Sequence, residues 1–306
     1  MLDVGGLGDK SFNDGANRGL VRAKRELNAQ VQIIEPGDGS DRAAALRMLA
    51  ASHHPLIFAV GFVFTDDLLQ VAQDYPDVRF AGIDFALRYD AEQKPVSLPN
   101  NILALKFREE EGSFLAGALA GMVSITHQVG FVGGMESPLI HKFSAGYRAG
   151  VAAVCEICNV RIMFAGVTPN AFKDPGTGRE MALNQYQNGV DIIYHAAGAT
   201  GLGVFQAARE MHKLVIGVDS DQSNEAPDQV LSSMVKRIDN ATFTAIEDMI
   251  AGQNPHGVRW LGLKEQGVEL IHNPRLQYLL TPQIDHKLNE LKTQIIRGEI
   301  KVPDRD

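Results

Sequence analysis

Asp3-Val4-Gly5-Gly6-Leu7-Gly8-Asp9-Lys10-Ser11-Phe12-Asn13 opens the chain and runs directly into a stretch of helical spacing. From Phe12 onward, Ala16, Leu20, Ala23 and Leu27 recur at three- or four-residue steps with Arg18, Arg22, Lys24 and Arg25 between them, which predicts an amphipathic helix over 12–27. A glycine-rich loop with one aromatic among polar residues, feeding a helix N-terminus, is where an open α/β sheet holds a ligand. Glycine lets the backbone turn, and the first helical turn offers N–H groups without intrahelical partners. The same residues also read as a plain connection in which Ser11 or Asn13 caps the helix. Every later helix is preceded by a full apolar strand, whereas only Met1-Leu2 precede Asp3, so the natural chain is expected to begin upstream.

The alternation continues outward from this loop. Strands are predicted at 31–34, 55–60, 78–83 and 102–107, with helices at 41–51, 65–74 and 109–122. Thr65 is expected to cap its helix and Pro76 to follow its end. Residues 87–101, carrying Pro95 and Pro99, read as a loop. A second run pairs strands at 129–132, 160–167, 190–194 and 214–218 with helices at 143–155, 178–187 and 201–211. Alternation at this spacing means parallel sheets with helices on both faces, and two runs mean two doubly wound α/β lobes. The remaining chain reads as strands at 230–235 and 268–271, helices at 238–251 and 282–297, and a Gly-rich stretch around Trp260. Pro282 suits the first turn of the last helix, where its missing N–H is harmless. These late pieces are expected to complete the two lobes: 1–107 with about 237–272, and 108–236 with about 273–306, facing each other across a ligand cleft.

A chain of 306 residues exceeds the usual span of one core, and 45% hydrophobic residues is ample for two. A net charge of −8 excludes an extended basic footprint, so nucleic acid is not an expected partner. No apolar run approaches the roughly 18 residues of a membrane helix, and no charged-then-apolar leader opens the sequence. Both cysteines fall in Cys155-Glu156-Ile157-Cys158 at the end of the helix predicted over 143–155. With no second pair, no nearby histidine and no thioredoxin-like context, they read as helix-end cysteines without a chemical role, oxidised or free.

Polar or aromatic residues recur where strands should end: the opening loop, 61–66, Asp84, Gly133-Gly134, Phe172-Lys173-Asp174, 198–203 and Asp219-Ser220-Asp221. Strand ends of two facing α/β lobes open into one cleft. The glycines from Gly198 to Gly203 lack both a P-loop pattern and the acidic follow-up of a dinucleotide fold, which weighs against phosphate cradling. Asp219 and Asp221 would share one face of an extended strand end. They lack a third carboxylate or histidine for a metal, and no nucleophile with its base stands out, so no catalytic residue, metal or cofactor is expected. Ionised carboxylates can instead accept paired hydrogen bonds from sugar hydroxyls or a purine's donor edge. Phe12 and Phe172 read either as core or as stacking platforms. Glu109-Glu110-Glu111 suits a helix start by its charge, and Lys236-Arg237 reads either as a solvated pair or as a cation entering the cleft.

These stretches together resemble the basic membrane protein family of ABC-transporter substrate-binding proteins, which includes bacterial purine nucleoside receptors. The resemblance rests on 3–13 and on Glu109-Glu110-Glu111-Gly112-Ser113-Phe114-Leu115-Ala116-Gly117, Gly130-Phe131-Val132-Gly133-Gly134 and Phe143-Ser144-Ala145-Gly146-Tyr147-Arg148-Ala149-Gly150. It continues through Phe172-Lys173-Asp174-Pro175, 196–205, Gly217-Val218-Asp219-Ser220-Asp221-Gln222 and Ser233-Met234-Val235-Lys236-Arg237, covering the chain from Asp3 to about Ala251 in order. It implies a type I periplasmic-binding-protein fold that closes on a purine nucleoside such as guanosine, adenosine or inosine. It further implies a cognate ABC permease, a monomer, an extracytoplasmic location and membrane association only through an N-terminal lipid anchor. By the same resemblance Phe12 and Phe172 sandwich the base, Asp9 and Asn13 lie near it, and Asp84, Gly198, Asp219, Asp221 and Lys236 surround its edge and the ribose. The alternatives from other classes are a nucleoside hydrolase using Asp219 and Asp221, and the ligand-sensing core of a regulator.

Overall fold

The computed structural model describes residues 1–35, 41–92 and 94–305; residues 36–40, 93 and 306, including one position of the predicted loop at 87–101, lie outside this description. Along the chain the elements are α1 (Phe12–Glu26), α2 (Arg42–Ala51), β1 (Leu56–Val60), α3 (Thr65–Asp74), β2 (Arg79–Ile83) and β3 (Ile102–Phe107). Then come α4 (Glu109–Val123), β4 (Gln128–Met135), α5 (Pro138–Ala152), β5 (Asn159–Gly166), α6 (Pro175–Gln187), β6 (Ile192–Ala196), α7 (Gly201–Met211), β7 (Leu214–Asp219) and β8 (Val230–Lys236). The chain ends with α8 (Ile238–Ile250), β9 (Gly257–Leu261), β10 (Val268–His272) and α9 (Pro282–Ile296). The α/β reading holds.

The chain divides into two compact units. The first comprises Met1–Gly8, Asn13–Phe107 and Ile238–Leu261. Its sheet has the order β1-β2-β3-β9, with every pair parallel. Ile57, Ala59, Phe64, Leu68, Phe80 and Ile102 belong to its core. The predicted strand at 31–34 does not form among the described residues. Instead Leu2 N–H donates to Ile34 O at 3.0 Å and Val60 N–H to Met1 O at 3.0 Å, so Met1-Leu2 lies between this segment and β1. The stretch around Trp260, which carries no strong pattern, is the parallel edge strand β9, with Trp260 opposite Lys106. Its half-exposed residues explain the weak apolar signal. Thr65 begins α3 without capping it. Its hydroxyl donates to Phe62 O at 2.8 Å and accepts from Ala86 N–H at 3.0 Å, which fastens the strand-end loops on either side.

The second unit comprises Asp9–Phe12, Arg108–Arg237 and Gly262–Asp306. Its six strands run in the order β10-β8-β7-β6-β4-β5, parallel except for β10, which pairs antiparallel with β8 from Val268 opposite Lys236 to His272 opposite Ser232. That pairing draws the chain from Gly262 onward into the second unit, so the boundary expected near residue 272 lies about eleven positions earlier. Val132, Ile193, Val204, Phe205 and Val215 build the core. Helix α4 is buried along nearly its whole length and packs against α5 at backbone distance: a Cβ on Gly117 would stand 2.0 Å from Tyr147 O. Helix α5 starts at Pro138, capped by Ser137 Oγ accepting from Ile140 N–H at 3.4 Å, and ends at Ala152. The cysteines therefore sit beyond this helix and not in its last turn.

Candidate functional site

The parallel strands of the second unit deliver their C-terminal ends to one edge of the sheet, and the short segment Asp9–Phe12 is fastened to that edge. Ser11 Oγ donates to Asp219 Oδ2 at 2.5 Å, Ser220 Oγ donates to Ser11 O at 3.1 Å, and Gln222 Nε2 donates to Lys10 O at 3.0 Å. Gln222 is held in turn, because its Oε1 accepts from Val218 N–H at 2.7 Å and its own N–H donates to Ser233 Oγ at 3.0 Å. Within the segment, Asp9 Oδ1 accepts from Ser11 N–H at 2.9 Å. Asp219 closes β7 with φ 64, a left-handed conformation that is costly for a residue with a Cβ and that recurs at ligand sites.

Phe12, half-buried, follows this anchor. Lys236 Nζ at the end of β8 lies 5.2 Å from the Phe12 ring centroid and 5.8 Å from that of Phe143, within cation–π range of both. Of the two readings of Lys236-Arg237, the solvated pair does not hold for Lys236. It is 1% exposed and pairs at 3.0 Å with Glu109 Oε1; Glu109 Oε2 meets Lys142 Nζ at 2.5 Å, and Lys142 meets Glu110 Oε2 at 3.0 Å. Burial opposes ionisation of Glu109, but Lys142 and Lys236 together overcome it and hold the carboxyl at about 2. Burial also opposes the charge on Lys142, and Glu109 and Glu110 more than restore it, raising that ammonium above its ordinary range. Burial pushes the carboxyl of Glu110 up, against the opposing pull of Lys142. The acidic start of α4 is thus an internal counter-charge beneath Phe12 and Lys236, not only a helix-dipole device. Such a network is rigid, because each partner left alone would be an uncompensated buried charge.

Phe172 closes a short helical turn at Pro169–Phe172 and lies half-buried against the end of β4. A Cβ on Gly134 would stand 2.3 Å from the Phe172 ring, so the glycine is what admits the aromatic there. Thr200 Oγ1 fixes the turn, donating to Ala171 O at 2.7 Å and accepting from Asp174 N–H at 2.8 Å. Gly198, at φ 55, begins the turn that leads into α7.

Seven of the nine residues singled out in the sequence belong to this second unit: Asp9, Phe12, Phe172, Gly198, Asp219, Asp221 and Lys236. The structure joins Asp9, Phe12, Asp219 and Lys236 through the contacts above and sets Phe172 with Gly198 and Gly134. Asp221 stands apart. The left-handed turn at Asp219 breaks the extended alternation, so the two carboxylates do not share a strand face. Asp221 is exposed and accepts from Ser223 N–H at 3.0 Å and Ser223 Oγ at 2.5 Å. The other two residues belong to the first unit. Asn13 Oδ1 accepts from Asp3 N–H at 2.8 Å, and Asp84, 4% exposed, follows β2 at φ 60 with its N–H donating to Leu105 O at 2.9 Å. Ser11, Gln222, Glu109 and Lys142 carry no site signal of their own in the sequence. Only the acidic triplet hinted at Glu109, since partners so distant in sequence leave no spacing to read.

A family model described as ABC transporter substrate-binding protein PnrA-like, Bmp, matches residues 1–306. The chain belongs to this family. As a member it is the substrate-binding protein of an ABC transporter, a role that implies a ligand and a cognate permease. It is 35% identical over 308 residues to Basic membrane protein D of Borreliella burgdorferi, spanning 99% of this chain and 86% of the relative. It is 31% identical over 327 residues to a CD4+ T-cell-stimulating antigen of Listeria monocytogenes, spanning 100% of this chain and 87% of that one. Among solved structures, an ABC transporter solute-binding protein from Aeropyrum pernix K1 matches with a TM-score of 0.88 at 29% identity, over 99% of this chain and 92% of that one. A solute-binding protein from Conexibacter woesei shares the fold, with a TM-score of 0.77 at 23% identity over 99% and 97% of the two chains. The expected type I solute-binding fold is the fold observed. Among the described residues, no helix is long and apolar enough to cross a membrane.

Proposed function

We propose that this Bmp-family protein captures a purine nucleoside on the outer side of the membrane and presents it, as a monomer, to its permease. The observation that carries this reading is the Phe12 corner: an aromatic ring held beside a buried lysine, immediately after a serine bonded to the Asp219 carboxylate. Phe12 and Phe172 offer rings for stacking on a large flat base, and base–aromatic stacking is worth about 1–3 kcal/mol per base. Asp219 supplies a carboxylate that accepts from ribose hydroxyls, with Ser11 turned toward it as an adjustable partner. Asp9, Asn13, Asp84, Gly198, Asp221 and Lys236 complete the proposed contacts. In this reading the corner's role is recognition.

Equilibrium dialysis against adenosine, guanosine and inosine, followed by chromatography of the recovered ligand, tests this directly. Retention of at least one intact nucleoside is expected. No retention of any of the three overturns the nucleoside assignment, and release of free base overturns the binding role in favour of hydrolysis.

A further inference from the structure

The opposite, N-terminal edge of the second unit's sheet carries a different constellation. Asp191, leading into β6, binds the loop between α4 and β4: its Oδ1 accepts from Ser124 Oγ at 2.7 Å, and its Oδ2 accepts from the N–H groups of Ile125 at 2.7 Å and Thr126 at 2.9 Å. The loop so fixed delivers His127 at φ 56, with its carbonyl accepting from Asn159 N–H at 2.8 Å. Its Nδ1 stands 4.0 Å from Cys155 Sγ and 3.8 Å from Cys158 Sγ, and the two sulfurs are joined as a disulfide. The expectation that no histidine accompanies the cysteines is therefore corrected. His127 is remote from them in sequence and becomes their neighbour only because β4 and β5 are adjacent strands.

We propose that reduction of this disulfide opens a metal site, with Cys155 Sγ, Cys158 Sγ and His127 Nδ1 as three ligands for a borderline-soft divalent ion of the Zn²⁺ class. Tetrahedral coordination with metal–sulfur bonds near 2.3 Å and metal–nitrogen bonds near 2.0 Å requires nitrogen–sulfur separations of about 3.5 Å, close to the distances already present. Once the S–S bond is broken, the sulfurs need only separate to about 3.8 Å, their spacing across such an ion. All three ligand atoms lie within 4.8 Å of one another, and C-x-x-C is a usual zinc-ligand spacing. A cross-link over a sequence separation of three constrains the unfolded chain little, so a staple alone is a weak account of the pair. A groove of about 550 Å³ lined by Gly121, Met122, Ser124, Gln283 and Ile284 together with His127 and Cys155 leaves a fourth position open to water or a small ligand.

The chemistry balances with a dithiol as reductant. Two electrons and two protons pass to the disulfide, the Cys155–Cys158 bond breaks to two thiols, and the reductant closes to its own disulfide. Metal entry then displaces the two thiol protons to solvent.

The test uses the full chain reduced with a water-soluble phosphine, which takes oxygen from water to become its oxide. After anaerobic removal of the phosphine the protein is titrated with Co²⁺, a coloured stand-in for Zn²⁺. The reduced protein is expected to take up one equivalent, with thiolate-to-cobalt charge transfer in the near ultraviolet and tetrahedral bands in the visible. The oxidised protein should show neither, and His127→Ala should bind at least about tenfold more weakly. A Cys155→Ser/Cys158→Ser double variant that matches the wild type by circular dichroism should lack both features. Absence of the thiolate–cobalt band in the reduced wild type overturns the site, and an unchanged cobalt affinity in His127→Ala overturns its ligand set.

Discussion

The two ends of the second unit's sheet are made from the same parallel strands and do opposite things with their polar groups. At the C-terminal end the charges are buried and interlocked: Lys236 and Lys142 share Glu109, and Ser11, Ser220 and Gln222 tie the Asp9–Phe12 segment to the strand ends. At the N-terminal end His127 is exposed and the two cysteines are half-buried, with Asp191 and Asn159 fixing the loop beside them. Buried counter-charges fix the first end in one arrangement, while at the second the proposed metal site would exchange a covalent bond for a coordinated ion. Burial decides the difference, since a desolvated charge must keep its partner and a half-buried sulfur need not.

Breaking the buried network should have the largest effect. Glu109→Ala leaves two ammonium groups at the C-terminal end without their shared partner and should destabilise the fold by about 3–5 kcal/mol, measured by urea unfolding. Asp191→Ala at the N-terminal end removes an acceptor of three hydrogen bonds near the surface and should cost less, about 1–3 kcal/mol by the same assay. A result in the reverse order would break the contrast between a rigid end and an adjustable one.

Acid should act on the buried end in two stages. His195, one residue before the end of β6, is fully buried, with Phe205 edge-on to its ring at a centroid distance of 5.0 Å, and burial lowers its pKa from 6.5 to about 4 against a smaller opposing pull from Gln222. The unfolded chain takes up that proton first, so stability falls as pH drops from 6.5 to about 4 and no further on its account. Glu109, held at about 2 against an ordinary 4.5, contributes stability above pH 4.5 that is lost as pH falls toward 2. Each step is worth up to about 3 kcal/mol. Unfolding midpoints across this range should decline steadily, and His195→Gln should flatten the upper step alone.

Much of the architecture is legible in the sequence because it rests on local pattern. Runs such as 55–60 and 102–107 are continuous apolar strands, and the helices between them carry clear spacing. What escapes is set by partners far away in the chain. β9 shows no strand pattern, because it is an edge element whose place is fixed by β3. The chain from Gly262 changes unit because β10 finds β8. At the site, Phe12 and Asp219 stand out as an odd aromatic and a strand-end carboxylate, but the serine bond joining Ser11 to Asp219 spans 208 positions and no local motif encodes it. The alternation that placed Asp221 beside Asp219 failed at one residue, where a single left-handed φ turned the backbone.

The central claim is that Phe12, set by this buried scaffold, is the platform on which a purine base stacks. Calorimetric titration of the wild type and of Phe12→Ala with guanosine, adenosine and inosine tests it most directly. The account predicts saturable 1:1 heat from at least one nucleoside with the wild type, and affinity weaker by more than about tenfold in Phe12→Ala with the fold intact. Heat from none of the three, or equal affinity in the two proteins, would contradict it.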